Sequence, residues 1–598
     1  MKLHIIAVFL SALLLVASLA GCGADGGVTP AGSGTGGDPE GTPTLSTAVS
    51  DSDTDTSWSE SDTKITLNGS SASVTGGGAA ANGSVVTITA AGIYLVSGTL
   101  SDGQIVVAAA NTDKVHLVLC GADITNTTGA PIYASQCDKL IVTLAEGTKN
   151  SLTDGGANFQ YADTAEEEPN AALFCKDDLT INGTGSLTVN ANFNNGIGSK
   201  DDLLIVSGDI TVTAANHGLR GNDSVTVLGG SLNLTAGNDG IQTNNTKDST
   251  LGWVLIENGA IVITAGHDGI QADTWVRIGD GVLSITTGSA SAADTTSDSY
   301  KGIKAATDLA VTGGSFTIDS TDDSLHANGS ITIDGGTFTL SSGDDGVHAD
   351  GDLTVNAGTI KVTRAYEGLE AANILITGGD IDLVTSDDAI NAAGGADQSG
   401  GGGRFGKDSF AAGSGYSVTI SGGTIRFLAG GDGIDSNGTI HISGGSIVAI
   451  IKSTADNGAL DADGTVTFTG GTILYGGTGT GSAPGGSSTQ SYVFVGSGIT
   501  AGKELTVQKD GQTLIAYTPT TALQSLALSS PDIQSGESYE VYSGGSLLST
   551  VTAGVGGTGM MMGGGPGGMG GPGGGTGGGM GTPGGMNGPG GMGGAPRQ

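Results

Sequence analysis

The chain is poor in aromatic residues, in basic residues and in cysteine. Aromatics make up 4% of its 598 residues, too few to fill the core of a large globular enzyme. Lys and Arg number 21 against 59 Asp and Glu, a formal net charge of −38. A field of that sign repels nucleic acid and anionic membrane surfaces and attracts divalent cations. Nucleic acid is therefore excluded as a partner. Methionine is missing from the interior: one of the eight is the initiator and the other seven follow residue 559. The four cysteines (Cys22, Cys120, Cys137, Cys175) show no CxxC spacing that would suggest zinc. Only the N-terminus carries a long apolar run; nothing after it approaches the ~20 residues that cross a bilayer.

What is present is glycine, 112 residues of it, together with Thr, Ser, Val, Ile and Asp, the palette of short strands and turns. Residues 1–21 join Lys2 to the apolar run from Ile5 to Leu19 and small residues, the pattern of an export signal. The ending Leu19-Ala20-Gly21-Cys22 resembles the lipobox of bacterial lipoproteins, which implies lipidation at Cys22 and a lipid-anchored surface location. Residues 22–60 are Gly, Ser, Thr, Asp and Pro, expected to form a flexible tether. Residues 554–598 are almost wholly Gly, Met and Pro, expected to be disordered.

Between them a unit recurs about every 22 residues, most plainly from Asp322 to Asn391: an acidic turn, an apolar residue, a short strand, a glycine, a second strand. Two landmarks keep the same step. One glycine follows the turn acid, from Gly196 to Gly458, with Ser324 and Ala389 substituting; a second separates the strands, from Gly208 to Gly471. Such a unit has no room for a helix and cannot close a core alone, so units must stack. The expected fold is all-β: a right-handed parallel β-helix over residues 61–478, its end covered by a small β cap over 479–553. A monomer suffices for that architecture.

Stacking turns spacing into geometry. Asp323, Asp345, Glu367 and Asp388 fall on one position of consecutive coils, with Asp322, Asp344 and Asp387 one residue before. Carboxylates about 4.8 Å apart either splay into water or enclose a cation, and calcium, with its six to eight oxygen ligands, suits them. Glu370, further round the turn, joins this set. The competing reading is that aspartate in a turn caps backbone, which accounts for Asp239, Asp268 and Asp432. His326 and His348 share the column of Glu370 and are expected to be exposed or to touch ligand. Trp253 and Trp275, 22 residues apart, are expected to face outward, either as a platform for sugar rings or packed under the insertions near 244–252 and 288–300.

Several stretches resemble the bacterial carbohydrate-binding, polysaccharide-lyase-like β-helix family, the cellulose- and pectin-binding surface proteins of clostridial type. They are residues 94–104 (YLVSGTLSDGQ), 173–181 (LFCKDDLTI), 366–370 (YEGLE) and 432–438 (DGIDSNG). The resemblance implies a right-handed β-helix, bound calcium, and binding of cellulose or acidic plant polysaccharide. Lyase activity would need a Lys or Arg base beside the calcium; Lys301, Lys304, Lys361 and Arg364 are near, and no spacing selects one. Polysaccharide binding without turnover is the expected function. The alternatives are a calcium-dependent pectate-type lyase and a structural or adhesive rod.

Overall fold

The computed structural model describes residues 49–288, 299–393, 415–452, 457–477, 488–496 and 498–555. The expected signal peptide, lipidated Cys22 and the Gly/Met/Pro tail beyond Val555 lie outside the described residues; Gly554–Val555, the first two residues of the expected tail, form a short strand. The protein is nearly all β, and most strands join one network of parallel pairs.

The pairing shows why the repeat folds this way. The apolar residue two places after the turn position, which holds Lys301 in one coil and an acid in the others, stacks on its equivalent: Ile303 on Leu325, Leu325 on Val347, Val347 on Leu369, Leu369 on Ile390. All five are fully buried. A second interior column runs through Leu283, Phe316, Phe338, Ile360 and Ile381. There the rings of Phe316 and Phe338 stack 4.5 Å apart. Strand residues alternate between these columns and solvent, as period-two patterning requires.

The two glycine series serve different ends. The inter-strand glycines adopt positive φ, +97° at Gly336 and +101° at Gly358, where a side chain would be strained. The glycine after the acid is there for closeness: a Cβ on Gly346 would stand 2.7 Å from the carbonyl oxygen of Gly368.

Both ends depart from parallel pairing. Thr63–Gly69 pairs antiparallel with Ala72–Thr75. At the other end Leu505–Lys509, Gln512–Tyr517, Ser538–Ser543 and Ser546–Thr552 form a separate antiparallel sheet over its own apolar cluster, which includes Val507, Tyr539 and Val541. The body begins earlier than residue 61. Asp51–Thr54 is a helical turn within the expected tether. Asp53 is fully buried there, its carboxylate 3.0 Å from Lys139 Nζ and accepting a 2.7 Å bond from Thr180 Oγ1. A low-complexity sequence hid that anchor because its partners lie 86 and 127 residues away.

Candidate cation edge

Each turn acid stands immediately before the tight glycine, or before Ser324 or Ala389 in its place, and the next coil repeats it one rung further. The backbone links these rungs: the N–H of Gly346 donates to Glu367 O and that of Gly368 to Asp388 O. The side chains add a second ladder. One carboxylate oxygen of Asp323 accepts the N–H of Asp345, one of Asp345 that of Glu367, and one of Asp388 that of Asp432. Capping therefore reaches the doubled acids as well as Asp239 and Asp432, and it is directed at the next coil. It consumes one oxygen of each aspartate and leaves the other for the column.

What the second oxygen meets differs along the edge. At Asp322 and Asp323 it meets Lys301, whose buried ammonium lies 2.9 Å from the first and 2.8 Å from the second. Burial would raise the Asp323 pKa, but the Lys301 charge, with the hydrogen bond from His326, holds it well below the usual carboxylate range. Lys301 is thus engaged in a closed ion cluster and is poorly placed to act as a base.

One rung on, Asp345, His348 and Glu370 form a compact group. His348 Nδ1 is 2.6 Å from Glu370 and 3.1 Å from Asp345, and Nε2 is 3.2 Å from Asp350. Burial opposes a charge on His348; hydrogen bonds to Asp345, Asp350 and Glu370 outweigh it and hold the pKa well above the histidine norm. Burial and the charges of Asp344 and Glu370 push Asp345 up. His348 thus stands between two carboxyl groups, with Asp345 pushed up and Glu370, against its burial, held down by its hydrogen bond to the imidazole. The expectation of exposed histidines is corrected here. His326 and His348 are 3% exposed, with their rings stacked 5.0 Å apart. Their side chains turn back over the turn acid three residues earlier, which needs a proton donor.

The third group is different. Asp388, Asp432 and Asp435 place carboxylate oxygens within 4.8 Å of one another, and among the described residues none is ion-paired. Burial and neighbouring acids push their pKa values up to about 8, about 6 and about 7. At such a spacing two charges repel by roughly 3 kcal/mol at an effective dielectric near 20. On the adjoining rungs, buried Glu367 Oε2 and Asn391 Oδ1 find no hydrogen-bond partner among the described residues. Asn391 stands in register between Glu370 and Asp435. Glu367, one methylene longer than the aspartates, accepts a 3.0 Å bond at Oε1 from Asn391 Nδ2. The three clustered carboxylates offer a hard, oxygen-only donor set, which fits calcium better than a transition metal, and the two orphaned oxygens stand on the adjoining rungs. Asp387 is half-buried beside them. The doubled-acid pattern passed over Asp432 and Asp435. The signal available was their spacing of three, shared with Asp345 and His348 and with Glu367 and Glu370.

Of the two readings of the tryptophans, packing beside the 244–252 insertion is the one the geometry favours. Trp253 is 5% exposed, Trp275 is half-buried, and the two rings stack 4.8 Å apart and nearly parallel. The Arg277 guanidinium lies over the Trp275 ring at 5.3 Å. Trp253 follows directly on the insertion, which is tied across by the bond from Thr274 Oγ1 to Leu251 O. With Trp253 buried, the pair offers no open two-ring platform.

Fold and site together define a parallel-stranded, solenoid-type β protein with a carboxylate-lined edge. Residues 82–346 match the family model described as carbohydrate-binding domain-containing protein. A protein of that description from Acetivibrio thermocellus is 49% identical over 129 residues, 22% of this chain and 45% of the relative. The chain thus spans about half the length of that curated relative. A solved structure, the polysaccharide lyase-like protein from C. thermocellum as a gadolinium derivative, is 42% identical. That alignment covers 38% of this chain and 90% of the other, with a TM-score of 0.37. Through residues 82–346 the chain belongs to the carbohydrate-binding, polysaccharide-lyase-like family.

Proposed function

We propose that this protein is an exported, lipid-anchored polysaccharide binder whose β-helix carries calcium on one edge. The family membership of residues 82–346 supports the carbohydrate part. The observation that carries the calcium part is the uncompensated group Asp388, Asp432 and Asp435 beside the orphaned oxygens of Glu367 and Asn391. The body reads as a right-handed helix of about 22 residues per coil, closed by the antiparallel sheet of residues 505–552. Lipidation at Cys22 would hold it at the cell surface.

Those five residues would hold the ion, and calcium bound there would bridge the protein to the carboxylates of a uronate chain. Without an ion the same edge repels such a chain, so binding of acidic polysaccharide is calcium-dependent while binding of a neutral glucan is not. The other two acid groups already have cations of their own in Lys301 and His348 and serve the fold.

The test is retention on insoluble polygalacturonate and on cellulose, with calcium or with chelator, while ultraviolet absorbance is followed for unsaturated uronide. Calcium-dependent retention on polygalacturonate without absorbance is the expected result. Calcium-dependent absorbance would make it a lyase instead. Failure to bind either polymer under any cation condition would sink the carbohydrate reading.

A further inference from the structure

The segment between Thr153 and Ala171 leaves the regular repeat and brings aromatic rings to the surface. Phe159, on this loop, stacks on Phe193, from the coil turn, at 4.3 Å and within 4° of parallel. Tyr161 is 6.1 Å from the first ring and 5.6 Å from the second, steeply inclined to both. A ring so placed relative to two stacked partners lies beside the stack. All three are half-exposed.

The loop is fixed at both ends by buried carboxylates. Asp154 accepts backbone N–H bonds from Gly156, Asn192 and Phe193, which locks the loop to the turn that carries the second ring. Glu168 is fully buried, with Lys200 Nζ at 2.8 Å and Lys176 Nζ at 3.1 Å. Two buried acids are an expensive way to hold a loop that only covers a surface, whereas pre-placing rings for a ligand lowers the ordering cost of binding.

Beyond Phe193 the same rung position is held by Ala215, Gly237 and Gly266, all exposed, each backbone N–H reaching the coil before it. Beside them run Asn194 and Asn216, joined by a 2.8 Å amide bond, and then Asn238. The result is a shallow strip of small residues bordered by neutral amides, leading from the aromatic cluster along the solenoid. Asp163, Glu166 and Glu167 flank Tyr161 on the loop and repel carboxylates.

We propose that Phe159, Tyr161 and Phe193 form a stacking subsite for an uncharged, linear pyranose chain, which continues over Ala215, Gly237 and Gly266. The apolar face of a sugar ring packs on aromatic carbon, and its equatorial hydroxyls suit the amide border. This subsite rests on the carbohydrate reading of the previous subsection but needs no calcium. It lies inside the family-matched residues 82–346, whereas Asp388, Asp432 and Asp435 lie outside them.

The experiment measures retention of the full chain on cellulose with chelator and on polygalacturonate with calcium, for wild type, Phe193→Ala and Ala215→Glu. Phe193→Ala removes a stacked ring; Ala215→Glu puts bulk and negative charge on the strip at an exposed position where the fold has nothing to lose. Both should weaken cellulose retention about tenfold or more and leave calcium-dependent polygalacturonate retention intact. Thermal midpoints check folding, and Phe193→Trp should restore retention. If wild type binds cellulose and both variants bind it equally well, the subsite is overturned and the carbohydrate reading stands. Wild type held by polygalacturonate but not by cellulose likewise overturns the subsite alone. Wild type held by neither overturns both.

Discussion

The Nζ of Lys301 lies 2.8 Å from Oδ2 of Asp323, with both side chains out of contact with solvent. A buried pair of this kind is held by mutual compensation, and removing one partner strands the other. Lys301→Met should cost about 3–5 kcal/mol of stability, read as a lower denaturant midpoint. Lys304, whose ammonium is partly exposed and 3.7 Å from Asp268, should tolerate the same change at a cost of about 1 kcal/mol or less. Equal effects would contradict the closed-cluster description.

Calcium affinity separates the acid groups. Asp388→Asn or Asp432→Asn should weaken calcium binding by about tenfold or more in calorimetry, because each removes a charge from the uncompensated group. Asp345→Asn should change it little, since Asp345 is already engaged by His348. The reverse ranking would move the site one rung back.

The pH dependence has a definite sign. Asp388, Asp435 and Asp432 are raised to about 8, 7 and 6, so between roughly pH 4 and 8 the folded state holds more protons than the unfolded chain. Stability of the calcium-free protein should therefore fall as pH rises through that window. Calcium should reverse the trend and release protons as it binds. Melting curves with chelator and with calcium, at pH 5 and pH 8, check both halves. A metal-free midpoint that rises with pH would count against the charged cluster.

Trp253→Ala should lower stability by about 3–5 kcal/mol through loss of its stacked partner and the void left behind, while polysaccharide retention stays unchanged. Loss of retention with stability intact would return the tryptophans to the binding surface.

The parts of this fold that were legible in sequence are those fixed by local spacing. Gly336 and Gly358 recur because every coil needs the same corner, and Leu325, Val347 and Leu369 recur because every coil faces the same interior. The parts that were not legible depend on what stands one rung away. Asp323 is met by Lys301, 22 residues earlier on the neighbouring coil, and Asp345 by His348, three residues on in its own coil, which in turn meets Glu370 on the next. Trp253 read as outward because its equivalents include Asp308 and Asp352. Its in-register neighbour Ser224 is buried too, and the ring finds Trp275 on the next coil. Phe159 and Phe193 escaped notice because the first sits in a loop outside the repeat.

Asp53 has a mechanical consequence. A load applied from the N-terminal side meets Ser52, whose Oγ accepts a 3.0 Å bond from Lys114 Nζ, and then Asp53, before it can reach the hairpin at Thr63–Thr75. Asp53 is bonded sideways to Lys139 and Thr180, and Asn182 Nδ2 holds its carbonyl at 2.8 Å. Force is thereby spread over the neighbouring strands Lys139–Leu144 and Asp178–Gly183. The antiparallel pair of Thr63–Gly69 and Ala72–Thr75, which could be unzipped one bond at a time, is spared.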